Sequence, residues 1–265
     1  MNKHKVIVGF RLLVVGLLAT FEVMAEPNTI EVRLAAFWAS TATELRLDSK
    51  DGTIGTSFNM EDQLGLGERE ILPMLDITYR FNESHAIDLS YVELSRSGSS
   101  MLNSTITIDG EDYTVDTLVD SFFDSKVARL AWRYKLYQDE DWQIESLLGV
   151  HVTSLSTGIS TRLAGPSYDA DVSIPLPSLG LDGAYWISPK LKLDAWAQVF
   201  ALDYDAYSGS LVNGSISVRY DFSENFGIGG GYTYYGYSLS ADDDNLRGEF
   251  DYTFQGPMLY LQAGY

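Results

Sequence analysis

The residues of this chain with a capacity for chemistry are three histidines, many serines and a large surplus of carboxylates. His4 lies in an N-terminal leader, which leaves His85 and His151. In ESLLGVHVTSLST, His151 stands three residues before Ser154 and five before Ser156. A hydroxyl nucleophile needs an imidazole to take its proton and a carboxylate to hold the imidazole. Asp169 or Asp171, on the following segment, could supply the third group. His151, Ser154 and Asp169 would then make a lipid-modifying hydrolase at a membrane rim. No nucleophile elbow surrounds either serine, and the other reading of His151 is a partner in a polar network.

Other site chemistries find less support. There is no cysteine, so thiolate catalysis, disulfides and thiolate metal sites are excluded. GIGGGY at 227–232 opens no helix and fails the context test for a phosphate loop. The sequence implies no metal site and no cofactor. Acidic clusters occur in TITIDGEDYTVDTLVDSFFDS, with Asp109, Glu111, Asp112, Asp116, Asp120 and Asp124, and in SADDDN, with Asp242, Asp243 and Asp244. They lack the ligand order of a calcium loop, so divalent cations are at most loosely held partners there.

The segments that must position these residues begin after the leader. MNKHKVIVGFRLLVVGLLATFEVMA combines Lys3, Lys5 and Arg11 with an apolar run and small residues before Glu26, the form of a secretory signal over residues 1–25. Residues 26–265 then form one domain. Without the leader the chain keeps 15 Lys+Arg against 36 Asp+Glu, a formal charge of −21. A field of that sign repels polyanions and argues against nucleic acid as a partner.

Strict alternation recurs along the domain. In KVARLAWRYKL, Ala128, Leu130, Trp132, Tyr134 and Leu136 oppose Arg129, Arg133 and Lys135; ILPMLDITYRF, LKLDAWAQV and SISVRYDF alternate in the same way. Period two is the mark of a pleated strand. Four short polar connections, at 81–85, 138–141, 188–190 and 223–225, join such segments as hairpin turns. Longer connections fall at about 39–70, 96–125 and 153–177, with shorter ones near 204–209 and 239–245. Short turns on one edge and long loops on the other is the asymmetry of a transmembrane barrel.

The expected fold is therefore all-β: an antiparallel up-and-down transmembrane barrel. Its ten strands run at about 29–38, 71–81, 85–95, 126–136, 142–153, 178–188, 190–203, 210–222, 226–238 and 246–265. Eight or twelve strands are the alternatives. Thr43 to Asp48 extend the first strand past the membrane, and Gly256-Pro257 makes a bulge or kink in the last. Tyr79, Phe81, Trp142, Tyr185, Tyr220, Phe222 and Phe226 band near the short turns, with Trp38, Tyr91 and Tyr234 in the opposite belt.

If the apolar faces meet lipid, a lumen network contains Asp76, Arg80, Asp88, Arg129, Arg133, Lys135, Glu145, Asp182, Lys192, Asp194, Arg219 and Asp221. The same phase carried up the last strand adds Arg247, Glu249 and Asp251. Buried charges require partners, so the expected lumen is closed by ion pairs. A narrow pore for small solutes is the alternative.

EDQLGL at 61–66, YRF at 79–81, SYVELSR at 90–96 and PLPSLGL at 175–181 resemble a group of uncharacterised outer membrane barrels of proteobacteria. The final Tyr265, with alternating apolar partners, resembles the signal read by the barrel assembly machinery. The resemblance implies an outer membrane location in a Gram-negative cell, with membrane lipids and that machinery as partners. It carries over no catalytic residue. The signatures of the ten-strand outer membrane proteases have no counterpart here, and the lipid A deacylases are not matched. The expected role is structural or interactive, with acidic loops presented outside.

Overall fold

The structure, a computed structural model, describes residues 4–5, 29–48, 55–162, 165–204, 207–243 and 246–265. The expected leader lies outside these residues except for His4–Lys5, a two-residue strand. Ten long strands follow: β1 Thr29–Leu47, β2 Arg69–Arg80, β3 His85–Met101, β4 Leu118–Gln138 and β5 Trp142–Thr161, then β6 Ser167–Ser188, β7 Leu191–Tyr204, β8 Tyr207–Asp221, β9 Phe226–Asp243 and β10 Leu246–Gly264. Each is antiparallel to the next. β10 pairs with β1 and closes the barrel. Closure leaves no edge whose backbone groups would meet hydrocarbon unpaired.

The four short turns stand where the alternating segments meet. At the other end only two connections are long. The first holds Phe58–Asn59, paired with β1, and helix α1, Met60–Leu64. The second holds a small hairpin of Ile106–Ile108 and Glu111–Tyr113. The connection expected over 153–177 is instead mostly strand, since β5 and β6 stay paired up to Ser160 and Ser167. Asp120 and Asp124 belong to β4, and Asp242 and Asp243 to β9, and not to loops; Asp244 lies outside the described residues.

The strands are long for a bilayer. β4 has 21 residues, about twice the ~9–11 that a tilted spanning strand needs. The longer strands therefore project outward from the membrane, and their polarity inverts on the way. In the lower half Leu34, Leu89, Leu130, Leu148, Leu181, Ile216, Ile228 and Leu261 are exposed on the outer wall. In the upper half the outer wall carries Glu44, Glu93, Ser95, Asp124, Asp171, Glu249 and Asp251, while Leu45, Leu94, Phe123, Leu155, Leu211, Tyr235, Tyr252 and Phe254 are buried inside. This corrects the inward assignment of Arg247, Glu249 and Asp251. Their phase along β10 is continuous with the lipid-facing Leu259 and Leu261, and beyond the membrane that face meets water.

Loop residues complete the upper core. Phe58, Met60, Leu64 and Leu66 descend into the barrel mouth, and Leu102, Ile106, Ile108 and Tyr113 close over them. The Asn59 side chain accepts from Asp62 N at 2.9 Å as an N-cap, and α1 ends at Gly65, which is left-handed at φ 69°. Gly65 lies against Gly98 of β3: a Cβ on Gly98 would stand 2.5 Å from Gly65 O. The expected bulge at Gly256-Pro257 is instead a gap. Gln255 pairs with Ser40 and Met258 with Phe37 in unchanged register, and the two rungs between are missing.

Candidate functional site

Below the apolar core the lumen is polar, because inward positions of the lower strands carry the charges. A vestibule of about 180 Å³ is lined by Arg33, Arg80, Arg129, Arg133, Lys192 and Arg219 and by Glu31, Asp76, Asp88, Glu145, Asp182 and Asp194. Six cations face six acids, so the site carries no net charge to select an ion of either sign.

Arg133 of β4 is the hub. Its Nη1 lies 2.7 Å from Asp88 Oδ2, its Nε 2.6 Å from Glu145 Oε2 and its Nη2 2.7 Å from Asp182 Oδ2. Those carboxylates come from β3, β5 and β6, so one guanidinium ties four strands. Glu145 also accepts from Arg80 at 2.6 Å, and Asp88 accepts from Thr78 Oγ1 at 2.8 Å. Charge-assisted contacts of this length are the strong ones.

Smaller pairs surround the hub. Lys192 meets Asp194 at 2.7 Å and Arg219 meets Asp221 at 2.9 Å. Lys135 bonds Gln138. Gln262 donates to Glu31 at 2.9 Å, and the Arg33 guanidinium lies 4.3 Å from the centre of the Tyr260 ring.

A neutral layer separates this network from the apolar core. Arg129 donates to Gln198 Oε1 at 3.0 Å, and Gln198 Nε2 to Ser178 Oγ at 3.1 Å. His151 is fully buried, with Nε2 3.2 Å from Asn213 Nδ2 and its ring 6.3 Å from that of Tyr235. Thr153 and Tyr235 share a hydrogen bond of 3.0 Å.

The residues considered for hydrolysis are not assembled. Ser154 faces outward, with Oγ 2.9 Å from Ser173 Oγ, and Ser156 donates to Asp171 at 2.5 Å on the same outer wall. Asp169 shares that wall. His151 points the other way, because an odd spacing along a strand puts two side chains on opposite faces. His85 packs between Phe81 and Trp132, with ring centres 5.8 and 5.4 Å away.

A second charged cluster, above the membrane, was not anticipated. The Arg96 Nη1 meets the Glu61 carboxylate and donates to Thr41 Oγ1 at 2.8 Å and Gly67 O at 3.1 Å; its Nη2 donates to Thr43 Oγ1 at 2.8 Å. Glu61 accepts from Thr43 N and Oγ1, both at 2.9 Å. The available signal was phase: Arg96 shares the inner face of β3 with Val92 and Leu94, a charge on an apolar stripe. Outside the wall, Asp120 is held below the usual carboxylate range by hydrogen bonds from Arg162 and Ser99, and burial pushes the Tyr113 hydroxyl up to about 12. Among the described residues, no three acidic or imidazole groups gather as a metal site would need.

No protein-family model matches the chain, and no curated relative does. Among solved structures it is similar to the outer membrane protease OmpT of Escherichia coli, with TM-score 0.61 and 11% identity over 89% of this chain and 97% of that one. It also aligns with Ail of Yersinia pestis, with TM-score 0.39 and 12% identity over 90% and 99%. The translocator domain of the autotransporter NalP of Neisseria meningitidis gives 0.40 and 10% over 88% of each chain. The likeness to the protease is one of fold. Ten closed strands in this fold, with an apolar outer belt, make the chain a multi-pass barrel of the outer membrane.

Proposed function

We propose that the protein is a non-conducting barrel of structural or interaction type, which holds an acidic, strand-built extension rigidly above the outer membrane. The filled lumen carries this reading. An apolar core occupies the upper half, and the Arg133 hub with its Gln198 layer crosses the lower half. Barrels that leave an aqueous channel have about sixteen strands or more. The extension supports the interaction role: its outer wall is lined by serine and carboxylate pairs such as Ser95 with Asp124 and Ser99 with Asp120.

Secretion through the leader, insertion by the barrel assembly machinery reading Tyr265, and contact with outer membrane lipids belong to the same proposal. Divalent cations at Asp109, Glu111 and Asp112 enter only as loose counter-ions. Planar bilayers containing the purified mature protein test the reading. No conductance steps are expected; regular steps from folded, heat-modifiable protein overturn it.

A further inference from the structure

Among the described residues, a groove on the outer wall has a size typical of ligand sites. It lies where β10 meets β1, has a volume of about 340 Å³, and falls within the ~300–1,000 Å³ of small-molecule pockets. Its cause is the two missing rungs. Pro257 has no N–H to give the ladder, and Gly256 lies so close to Trp38 that a Cβ would stand 2.0 Å from the Trp38 carbonyl oxygen. The strands remain in register on both sides of the gap.

The walls divide by polarity along the membrane normal. Trp38, Ile71 and Tyr232 are exposed on the lipid side and, with Pro257, form the lower part. Ser40, Arg69 and Gln255 form the upper part, and Ala39 and Glu70, on the opposite phase of their strands from Ser40 and Arg69, also line the groove. Ser40 is paired with Arg69 and with Gln255, so all three stand on one level, just above the aromatic belt. That is the level at which headgroups replace hydrocarbon.

Arg69 is unusual among the charges of this wall. Lys126 is paired with Glu93, Arg162 with Asp120 and Arg46 with Glu249. Arg69 is exposed, and no side chain among the described residues hydrogen-bonds or ion-pairs with it. A cation left without a partner on a protein with so large an acidic surplus complements an anion supplied from outside. A guanidinium fits phosphate in bidentate geometry.

We infer that the seam between β10 and β1 binds one phosphorylated lipid of the outer leaflet. An acyl chain lies against Trp38, Ile71, Tyr232 and Pro257, and a headgroup phosphate lies on Arg69, with Ser40 and Gln255 as hydrogen-bonding neighbours. The inference depends on the membrane placement of the barrel and not on whether the lumen conducts.

Native mass spectrometry of the mature protein in detergent tests it, with bisphosphorylated lipid A and the same lipid enzymatically dephosphorylated as probes. One retained copy of the phosphorylated probe is expected, with retention roughly tenfold weaker for the dephosphorylated one, the scale of a lost charge-assisted contact. Arg69→Ala is expected to abolish that preference. Ser40→Trp, which fills the groove from an exposed position, is expected to lower retention of both probes. Heat-modifiability on a gel confirms that each variant is folded. Equal retention of the two probes by the parent, a folded Arg69→Ala that keeps the preference for the phosphorylated probe, or a folded Ser40→Trp that retains both probes as the parent does, overturns the site.

Discussion

Glu61, in the helix that enters the barrel mouth, and Arg96, on the inner wall of β3, form an ion pair whose side chains are 3% and 0% exposed. They come from the two segments EDQLGL and SYVELSR, 35 residues apart. The pair, with Thr41 and Thr43, is a charged attachment of a largely apolar plug, beside the hydrogen bond from Ser121 Oγ to Leu64 O at 3.2 Å.

Removing one partner leaves a buried charge, which costs about 3–5 kcal/mol. Arg96→Ala is expected to destabilise the upper core by that order, and Glu61→Ala likewise. The loss should appear as protease cleavage within residues 55–68 while the barrel remains heat-modifiable. A double-mutant cycle with the two alanines should show strong coupling; additive effects would mean that the pair does not fasten the plug.

The Gly65 to Gly98 approach is a steric requirement. Gly98→Ala places a methyl against backbone oxygens of the helix end, and overpacking of this kind costs about 1–3 kcal/mol. Hydrogen exchange in α1 should rise with no change in β7 or β8.

Arg133→Ala leaves Asp88, Glu145 and Asp182 without their common cation. A loss of about 3–5 kcal/mol is expected, measured by urea unfolding of the lipid-reconstituted barrel. Arg133→Lys should recover only part of it, because an ammonium cannot present three forked donors.

His151→Ala and Ser154→Ala should differ. The first opens a cavity in the Asn213 and Tyr235 layer and should destabilise measurably; the second, on the outer wall, should stay within about 0.5 kcal/mol. Neither is expected to alter the acyl composition of membrane lipids in cells expressing the variant. A change in acyl content with Ser154→Ala would reopen the hydrolase reading.

The outer wall should loosen in acid. The Asp120 pKa is depressed in the fold by Arg162 and Ser99, so the unfolded state takes up its proton first as pH falls. The contribution of Asp120 to stability is present above the ordinary carboxylate pKa of ~4 and is lost as pH drops through the lower folded value. Protection of amides near Ser99, Asp120 and Thr161, taken relative to their intrinsic exchange rate at each pH, should fall between pH 5 and 3 in the parent protein. Asp120→Asn should flatten that fall.

The alternation of KVARLAWRYKL and its counterparts was enough to specify strands, their number and the lower-half phase, because period two reports two unlike faces wherever it occurs. Four polar turns then gave parity and the short-turn edge, and the polar phase contained Arg133 and its three acids. Alternation does not say which face meets lipid. In β10 one unbroken phase carries Leu261, Leu259, Asp251 and Glu249, and only the height of the closed wall relative to the membrane decides that the first pair meets hydrocarbon and the second water. For the same reason the serine-rich segments around 154–173 read as loop, although they are strands with a polar outer face. The plug left only one trace in the sequence, the charge of Arg96 on an apolar stripe: Glu61 meets Arg96 only once β1, β3 and the intervening loop enclose one space, and the groove at Arg69 exists only where the first and last strands close.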